Sequence, residues 1–102
     1  MMDYHIMDYK TVIKRIETYM SKFDGNYSDW YVGITNEIDN TLFEGHKVEE
    51  NGTWISFGAD TEEVAKKIEK YFFDKKTDCD PSKSAKDARI VYAYKKNAKT
   101  TP

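Results

Sequence analysis

Two tyrosines in the last quarter of the chain have the spacing of a ligand-recognition surface. Tyr92 and Tyr94 alternate with Val91 and Ala93, so in an extended strand both phenols lie on one face. An open face of this kind could stack bases or another flat ligand. Small α/β domains more often bury such faces under helices, and the sequence leaves both outcomes open.

A nucleophile and a phosphate-binding loop are the next chemistries to consider. Cys79 is the single cysteine of the chain, and no general base stands near it in sequence, so a nucleophilic role has no local support. Cys79 falls in the polar stretch 74–88, where lysines and aspartates largely cancel one another. Mixed charge of this kind predicts a solvated loop rather than a phosphate-binding one.

The overall charge limits the partners that the protein can have. The net charge is −2, whereas a domain that coats a polyanion usually has a pI above about 9. Nucleic acid binding is therefore expected only through a local basic patch. A lone cysteine fits a reducing compartment, no apolar run approaches the roughly 20 residues of a membrane span, and residues 1–5 lack the features of a signal peptide. The sequence thus predicts a cytoplasmic protein with no membrane partner.

The first half of the chain predicts a helix, a strand and a short second helix. Residues 8–23 have apolar side chains at three- and four-residue spacing, with Asp8 as the expected N-cap. Residues 30–35 are rich in β-branched and aromatic side chains and predict a buried strand. Asn36 is the expected N-cap of a short helix that runs towards His46.

The second half predicts two further strands around a longer helix. The pair Asn51-Gly52 lies between extended segments and predicts a tight type I′ turn before a strand at 53–57. A capping-box pattern at Asp60 begins the clearest amphipathic helix of the chain. Residues 89–94 predict the last strand.

These elements fit one small domain. Three strands and two to three helices predict an α/β (α+β) fold, in which a three-stranded sheet packs against the helices. We expect a single domain over residues 1–94, with an N-terminal helix at 8–23. Residues 95–102 are basic and lack large apolar side chains, which predicts a flexible tail.

Two stretches of the sequence carry a recognisable signature. The run from Tyr31 to Asn36 reads Tyr-Val-Gly-Ile-Thr-Asn, and the run from Ile68 to Phe73 reads Ile-Glu-Lys-Tyr-Phe-Phe. The first resembles the second signature strand of the GIY-YIG nucleases, and the second resembles the helix that carries the metal-binding glutamate of that family. The opening Trp-Tyr-Val-Gly-Ile-Thr-Asn and the ending Tyr-Ala-Tyr-Lys also resemble small proteins of phages and gut bacteria.

The resemblance implies a GIY-YIG-like fold and a nuclease-like site. Tyr31 matches the strand tyrosine that lines the family's site, and Glu69 matches the glutamate that holds a divalent metal such as Mg²⁺. His46 lies one residue beyond the position of the family's proton-transfer residue, which Gly45 occupies. The family's first signature strand has no counterpart, because the corresponding segment reads as a helix.

The arginine of the family is missing from this chain. A helical arginine stabilises the scissile phosphate in these nucleases, and its position falls at Asn40-Thr41, far in sequence from Arg15 and Arg89. Lys47 could approach the site, but a lysine does not reproduce the bidentate fork of an arginine. Because removing one such charge contact typically lowers the rate by orders of magnitude, we expect no efficient nuclease activity.

Each candidate residue also has a structural interpretation. Glu69 has charged neighbours at i,i+3 and i,i+4 spacing and could be a solvated helix residue. A single carboxylate also makes a poor metal site, because Mg²⁺ usually needs further oxygen ligands. Tyr31 could pack in the core of the sheet, and His46 could stabilise the carboxyl end of a helix.

The sequence favours a binding module on a degenerate GIY-YIG-like scaffold, with nucleic acid or a nucleotide-like molecule as its ligand. One alternative is a protein-interaction module, such as a small phage-encoded effector that acts on a host protein. The other is a metal-dependent nuclease with a rearranged site. The candidate binding residues are Tyr31, His46, Lys47, Tyr92 and Tyr94, and Glu69 is the candidate metal ligand.

Overall fold

A computed structural model describes residues 6–23, 26–79 and 88–101, which form one mixed sheet with helices packed on it. The three long strands are antiparallel and confirm the predicted class, a small α+β domain. A short strand adds a parallel partner at one edge, so the sheet order is β1-β3-β4-β2. The strands are β1 (Ile6–Met7), β2 (Trp30–Thr35), β3 (Trp54–Ala59) and β4 (Ile90–Lys95), and the longer helices are α1 (Tyr9–Met20), a π-helix (Asn40–Gly45) and α2 (Glu62–Asp74).

The first helix begins where the sequence predicts and ends earlier. Asp8 is its N-cap, and the Asp8 carboxylate accepts a hydrogen bond from the Thr11 amide at 2.8 Å. The last helical residue is Met20 rather than Phe23, which leaves the Phe23 ring 37% exposed. The buried face of α1 consists of Val12, Ile13, Ile16 and Met20.

The second long helix starts one residue later than the capping-box pattern indicates. Thr61, not Asp60, is the N-cap, and its hydroxyl accepts the Val64 amide at 3.1 Å. Glu62 and Glu63 then lie in the first turn, where negative charge is favourable next to the exposed amides.

The carboxyl end of α2 closes with a Schellman motif built on a lysine. The Thr77 amide donates to the Phe72 carbonyl at 3.1 Å, and the Lys76 amide donates to the Phe73 carbonyl at 3.0 Å. Lys76 has a φ of 80°, the left-handed conformation that glycine adopts without steric cost.

Replacing Lys76 by glycine should therefore raise the free energy of unfolding by about 1 kcal/mol. The substitution removes the clash of the lysine Cβ in the left-handed region and keeps both capping hydrogen bonds. Urea unfolding monitored by circular dichroism measures the change. Lys75→Gly is the matched control and should be destabilising, because Lys75 has an ordinary negative φ of −86°. A loss of stability in Lys76→Gly would contradict the expectation.

The two faces of the sheet carry different side chains. Val91 and Ala93 of β4 pack in the core that α1 and α2 cover, whereas Tyr92 and Tyr94 lie on the opposite face. The predicted alternation along this strand is thus confirmed. The π-helix covers the second face. The buried side chains there, called the aromatic cluster below, are Tyr31, Leu42, Val48, Tyr92 and Tyr94.

The predicted hairpin at Asn51-Gly52 is wrong. Among the described residues other than glycine only Lys47 and Lys76 have positive φ, so Asn51 cannot be the first central residue of a type I′ turn. The Gly52 amide instead closes an ordinary turn on the Glu49 carbonyl at 2.8 Å. The segment before this turn is bonded to the π-helix, since the Val48 amide donates to the Leu42 carbonyl at 3.1 Å and the Val48 side chain, 6% exposed, packs into the aromatic cluster.

Two segments that the sequence assigns to a loop and a tail are bonded to the domain. Asp78 pairs with the outer edge of β2, since its amide donates to the Trp30 carbonyl at 2.8 Å and its carbonyl accepts the Val32 amide at 2.9 Å. Lys95 is the last residue of β4, one residue beyond the end of the predicted strand. Residues 96–101 return to His46, whose carbonyl accepts the Thr101 amide at 2.7 Å.

Candidate functional site

Strand register brings three tyrosines together on one face of the sheet. Tyr31 of β2 lies opposite Tyr94 of β4, and Gly33 lies opposite Tyr92. The Tyr31 ring is stacked on both other rings, with centroid distances of 5.4 Å to Tyr94 and 6.2 Å to Tyr92. The interplanar angles are 17° and 15°, respectively.

This tyrosine face is closed. Tyr31, Tyr92 and Tyr94 are 5%, 3% and 0% exposed, because Leu42 of the π-helix and Val48 pack across them. The open face that could have stacked bases on Tyr92 and Tyr94 is therefore not what the fold forms. Of the two outcomes that the sequence left open, burial in a core is the one observed.

A glycine makes the stacking possible. A Cβ atom at Gly33 would lie 2.6 Å from the Tyr92 hydroxyl oxygen and 2.8 Å from its Cζ, closer than real Cβ contacts. The same Cβ would lie 3.2 Å from Cε1 of Tyr31. Gly33 thus provides the space in which the Tyr92 phenol lies.

His46 connects the tyrosines to the end of the chain. Its Nε2 lies 2.7 Å from the Tyr92 hydroxyl, and its Nδ1 lies 2.8 Å from the Thr101 carbonyl oxygen. Because a carbonyl only accepts hydrogen bonds, Nδ1 carries the hydrogen. In the neutral ring Nε2 is then the acceptor, and the Tyr92 hydroxyl donates to it.

Thr101 is bound at both of its backbone polar groups. Its carbonyl oxygen also accepts the Tyr94 hydroxyl at 3.3 Å, and its amide donates to the His46 carbonyl at 2.7 Å. The predicted tail therefore contacts the very residues that the sequence proposes as a binding site. The basic composition of this segment does not predict the contact with His46, because the backbone atoms of Thr101 form that contact.

Glu69 lies next to the same cluster. It is 3% exposed on α2, so the interpretation as a solvated helix residue is wrong. Burial raises the pKa of Tyr92 above its usual range, and the neighbouring Tyr31, Tyr94 and Glu69 raise it further. Tyr31 and His46 contact Tyr92 directly, since the Tyr31 ring stacks on it and His46 Nε2 lies 2.7 Å from its hydroxyl.

At the positions where the resemblance implies a metal ligand and an arginine, the structure shows other arrangements. Within the part of the chain that the structure describes, no group of three His, Cys, Asp or Glu side chains is arranged to hold a metal ion. At the arginine position, Asn40 is exposed and the Thr41 hydroxyl is hydrogen-bonded to the Thr35 hydroxyl at 2.7 Å. Lys47 is exposed beside the cluster.

Helix α1 forms a second candidate surface that sequence reasoning missed. Together with β3 it borders an open groove of about 600 Å³ on the helix-covered face of the sheet. The sequence does indicate this surface, because basic residues recur at helical spacing along α1. The apolar residues of the same helix form the more conspicuous pattern. The groove is lined by Thr11, Lys14, Arg15, Thr18, Tyr19, Lys22, Ile55 and Phe57.

The one glutamate of α1 is engaged by two phenols. A single carboxylate oxygen of Glu17 accepts the Tyr27 hydroxyl at 2.9 Å and the Tyr71 hydroxyl at 2.9 Å. Burial, and then this hydrogen bond, raise the pKa of Tyr71 to about 12. Glu17 therefore ties α1 to α2 and to the loop before β2.

Comparison of the chain with protein-family models, with curated proteins and with solved structures found no match. The class that the fold defines is a small α+β domain, and the resemblance to GIY-YIG nucleases stays a prediction. None of the helices in the described ranges combines the length and apolar character that a membrane span needs.

Proposed function

We propose that the protein is a binding module for single-stranded nucleic acid and that the groove between α1 and β3 is its contact surface. The observation that carries the proposal is the concentration of positive charge on α1 and the turn after it. Lys10, Lys14, Arg15 and Lys22 are all exposed there, in a chain whose net charge is −2. This is the local basic patch that the overall charge requires of a nucleic acid binder.

Little negative charge opposes this patch. Within residues 8–23 the acidic side chains are Asp8 and Glu17. Asp8 is turned to the Thr11 amide as a helix cap, and Glu17 accepts two phenols away from the groove. The charged side chains that line the groove, Lys14, Arg15 and Lys22, are all cations.

The floor of the groove suits unpaired bases. Ile55 and Phe57 of β3 are half-buried, and Tyr19 at its side is half-buried as well. Cations beside partly exposed apolar and aromatic surface are the combination that single strands use, because phosphates pair with the charges and bases contact the rings. The missing arginine of the resembled nucleases agrees with binding without efficient cleavage.

Charge reversal on α1 tests the proposal. Lys14→Glu with Arg15→Glu should weaken binding of a labelled single-stranded oligonucleotide about tenfold or more in fluorescence anisotropy at low salt. If the unaltered protein contacts about three phosphates, raising salt from about 50 to 200 mM should weaken its binding about 20-fold. The matched control is Lys67→Glu with Lys70→Glu on α2, which changes the net charge equally and leaves the groove intact.

Three outcomes would contradict the proposal. Absence of binding at low salt would remove nucleic acid as the ligand, and equal losses in both double variants would remove the groove. Mg²⁺-dependent cleavage on a denaturing gel, abolished by Glu69→Ala, would instead identify a nuclease with a rearranged site.

A protein partner is the second candidate, because one apolar groove is exposed. Phe23 and Tyr27, 37% and 36% exposed, border an opening of about 470 Å³ together with Met20 and Trp30. Exposed aromatic side chains around a groove are typical of protein contacts. A protein that binds none of the oligonucleotides would make this surface the next one to test.

A further inference from the structure

The contact between His46 and Thr101 has the chemistry of peptide recognition. The Thr101 amide donates to the His46 carbonyl at 2.7 Å, while Nδ1 of His46 donates to the Thr101 carbonyl at 2.8 Å. The Tyr94 hydroxyl adds a second donor to that carbonyl at 3.3 Å. The His46 carbonyl and imidazole and the Tyr94 hydroxyl, called the cradle below, therefore bind one residue at both its N–H and its C=O.

These three groups define what can occupy the cradle. The occupant must offer a hydrogen-bond donor to the His46 carbonyl and an acceptor to the imidazole and the phenol. A phosphate or a carboxylate has acceptors only, so it would leave the His46 carbonyl without a partner. An extended peptide residue presents both groups on one side, as strands do when they pair.

The present occupant has no large apolar anchor. Residues 96–101, called the strap below, contain no apolar side chain larger than alanine, and Asn97, Ala98, Lys99 and Thr101 are exposed. One tether is an ion pair of Lys99 with Glu49 at 3.6 Å, between side chains that are 75% and 62% exposed. Exposed pairs contribute little stability, and segments with few buried apolar contacts open locally.

The cradle, by contrast, is joined to the buried aromatic cluster. Tyr94 is fully buried in β4, and His46 is fixed by its hydrogen bond to the buried Tyr92. The strap is also anchored at its start, where the Lys96 amide donates to the Asp29 carbonyl at 2.8 Å. Opening of the strap after Lys96 would therefore expose a preformed cradle without disturbing the sheet.

We propose that the cradle is a binding site for a peptide segment of a partner protein. Within its own chain the strap, which turns between Asn97 and Thr100, occupies this site. The ion pair between Lys99 and Glu49 gives the site a preference for a basic residue in the bound segment. Lys99 stands two residues before the bound Thr101. A partner segment should carry a basic residue at that spacing. This site lies on the opposite face of the sheet from the α1 groove and does not depend on nucleic acid binding.

Thr101→Pro tests the proposal because proline lacks the amide hydrogen that the His46 carbonyl accepts. The probe is a blocked synthetic peptide with the sequence of residues 96–102, Lys-Asn-Ala-Lys-Thr-Thr-Pro. We expect it to bind Thr101→Pro at least about tenfold more tightly than the unaltered protein, in which the strap competes for the cradle. Binding should return the His46 imidazole signals in NMR spectra towards their unaltered positions.

Two controls isolate the backbone contact. Thr101→Ala keeps the amide and should behave like the unaltered protein. The same peptide with proline in place of the threonine that corresponds to Thr101 should not bind to any variant. A peptide with glutamate in place of the lysine that corresponds to Lys99 should bind more weakly than the original.

Several results would overturn the proposal. Unchanged His46 signals in Thr101→Pro would show that these contacts do not hold the strap, and failure of the opened protein to bind the peptide would show that the cradle is no peptide site. Preferential binding of uridine monophosphate would assign the cradle to a base edge. In the unaltered protein, a Thr101 amide that exchanges its hydrogen as slowly as the amides of β4 would show that the strap does not open by itself.

Discussion

Replacing Gly33 by alanine should lower the free energy of unfolding by about 3 kcal/mol. The new Cβ would lie 2.6 Å from the Tyr92 hydroxyl oxygen, and the buried Tyr92 ring cannot turn away because Tyr31 stacks beside it. Displacing the phenol would also break its 2.7 Å hydrogen bond to His46. Alanine otherwise favours a strand over glycine, so a loss of stability must come from this contact.

Urea unfolding of Gly33→Ala measures the effect, and a second glycine supplies the control. A Cβ at Gly45 would meet its nearest atom, the Asn40 carbonyl oxygen, at 3.7 Å, which is an ordinary contact. Gly45→Ala should therefore change stability by less than about 1 kcal/mol. Shortening the neighbour in Gly33→Ala with Tyr92→Leu should cost less than the sum of the two single changes. Strict additivity would contradict the steric explanation.

Replacing His46 by leucine should lower the free energy of unfolding by about 2 to 3 kcal/mol. The change removes the acceptor of the Tyr92 hydroxyl and one of the donors to the Thr101 carbonyl. Tyr92 is only 3% exposed. A buried hydroxyl left without a hydrogen-bond partner has lost its hydrogen bonds to water and forms none with the protein. The loss should therefore exceed that of an ordinary surface substitution.

A double-mutant cycle separates the hydrogen bond from packing. Tyr92→Phe alone should cost about 1 kcal/mol, and adding it to His46→Leu should recover part of the loss, because no unsatisfied hydroxyl remains. Urea unfolding of the four proteins gives the coupling energy. A coupling near zero would show that the Tyr92 hydroxyl finds another partner when His46 is absent. Hydrogen exchange at the Thr101 amide in His46→Leu should increase at the same time, since the imidazole holds the carbonyl of that residue.

The candidate site is better understood as a buried polar network than as an open active site. The Tyr92 hydroxyl is hydrogen-bonded to Nε2 of the His46 imidazole, and Nδ1 of the same ring donates to the Thr101 carbonyl. Each of these polar groups finds its hydrogen-bond partner within the protein. Such a network specifies one arrangement of the strands and the π-helix. Functional contacts are therefore expected at its rim, where the strap lies, and at the α1 groove.

Elements with a strong local signal could be predicted from the sequence. The apolar spacing of α1 and the Asp8 cap, the β-forming run of β2 and the alternation in β4 all appear in the structure. Boundaries were less accurate, because neighbouring residues such as Asp60 and Thr61 are equally good caps by type and only the backbone selects one. The predicted Asn51-Gly52 turn is wrong for a different reason, since the residue Val48 before it is bonded through its amide to the Leu42 carbonyl of the π-helix instead of pairing with a strand.

The candidate site could be predicted only in part. The resemblance singles out Tyr31, His46 and Glu69. The rings of Tyr31 and His46 lie 4.5 Å apart, and Glu69 is buried on α2. Thr101 could not have been included, because its backbone rather than its side chain makes the contact. The residues around Gly33 predict a strand, but they do not predict that the Tyr92 phenol of β4 fills the space next to Gly33.

The sequence by itself determined the class of fold, the positions of the main helices and strands, and the absence of the arginine that a nuclease of the resembled kind would use. Tertiary structure alone decided that the tyrosine face is closed, that Glu69 is buried and that residues 96–101 return to His46. The reason is that local periodicity depends on neighbours along the chain, whereas burial depends on which distant segments pack together. The antiparallel register of β2 and β4 places Tyr31 and Tyr94 side by side across 63 residues, and no local pattern encodes that distance.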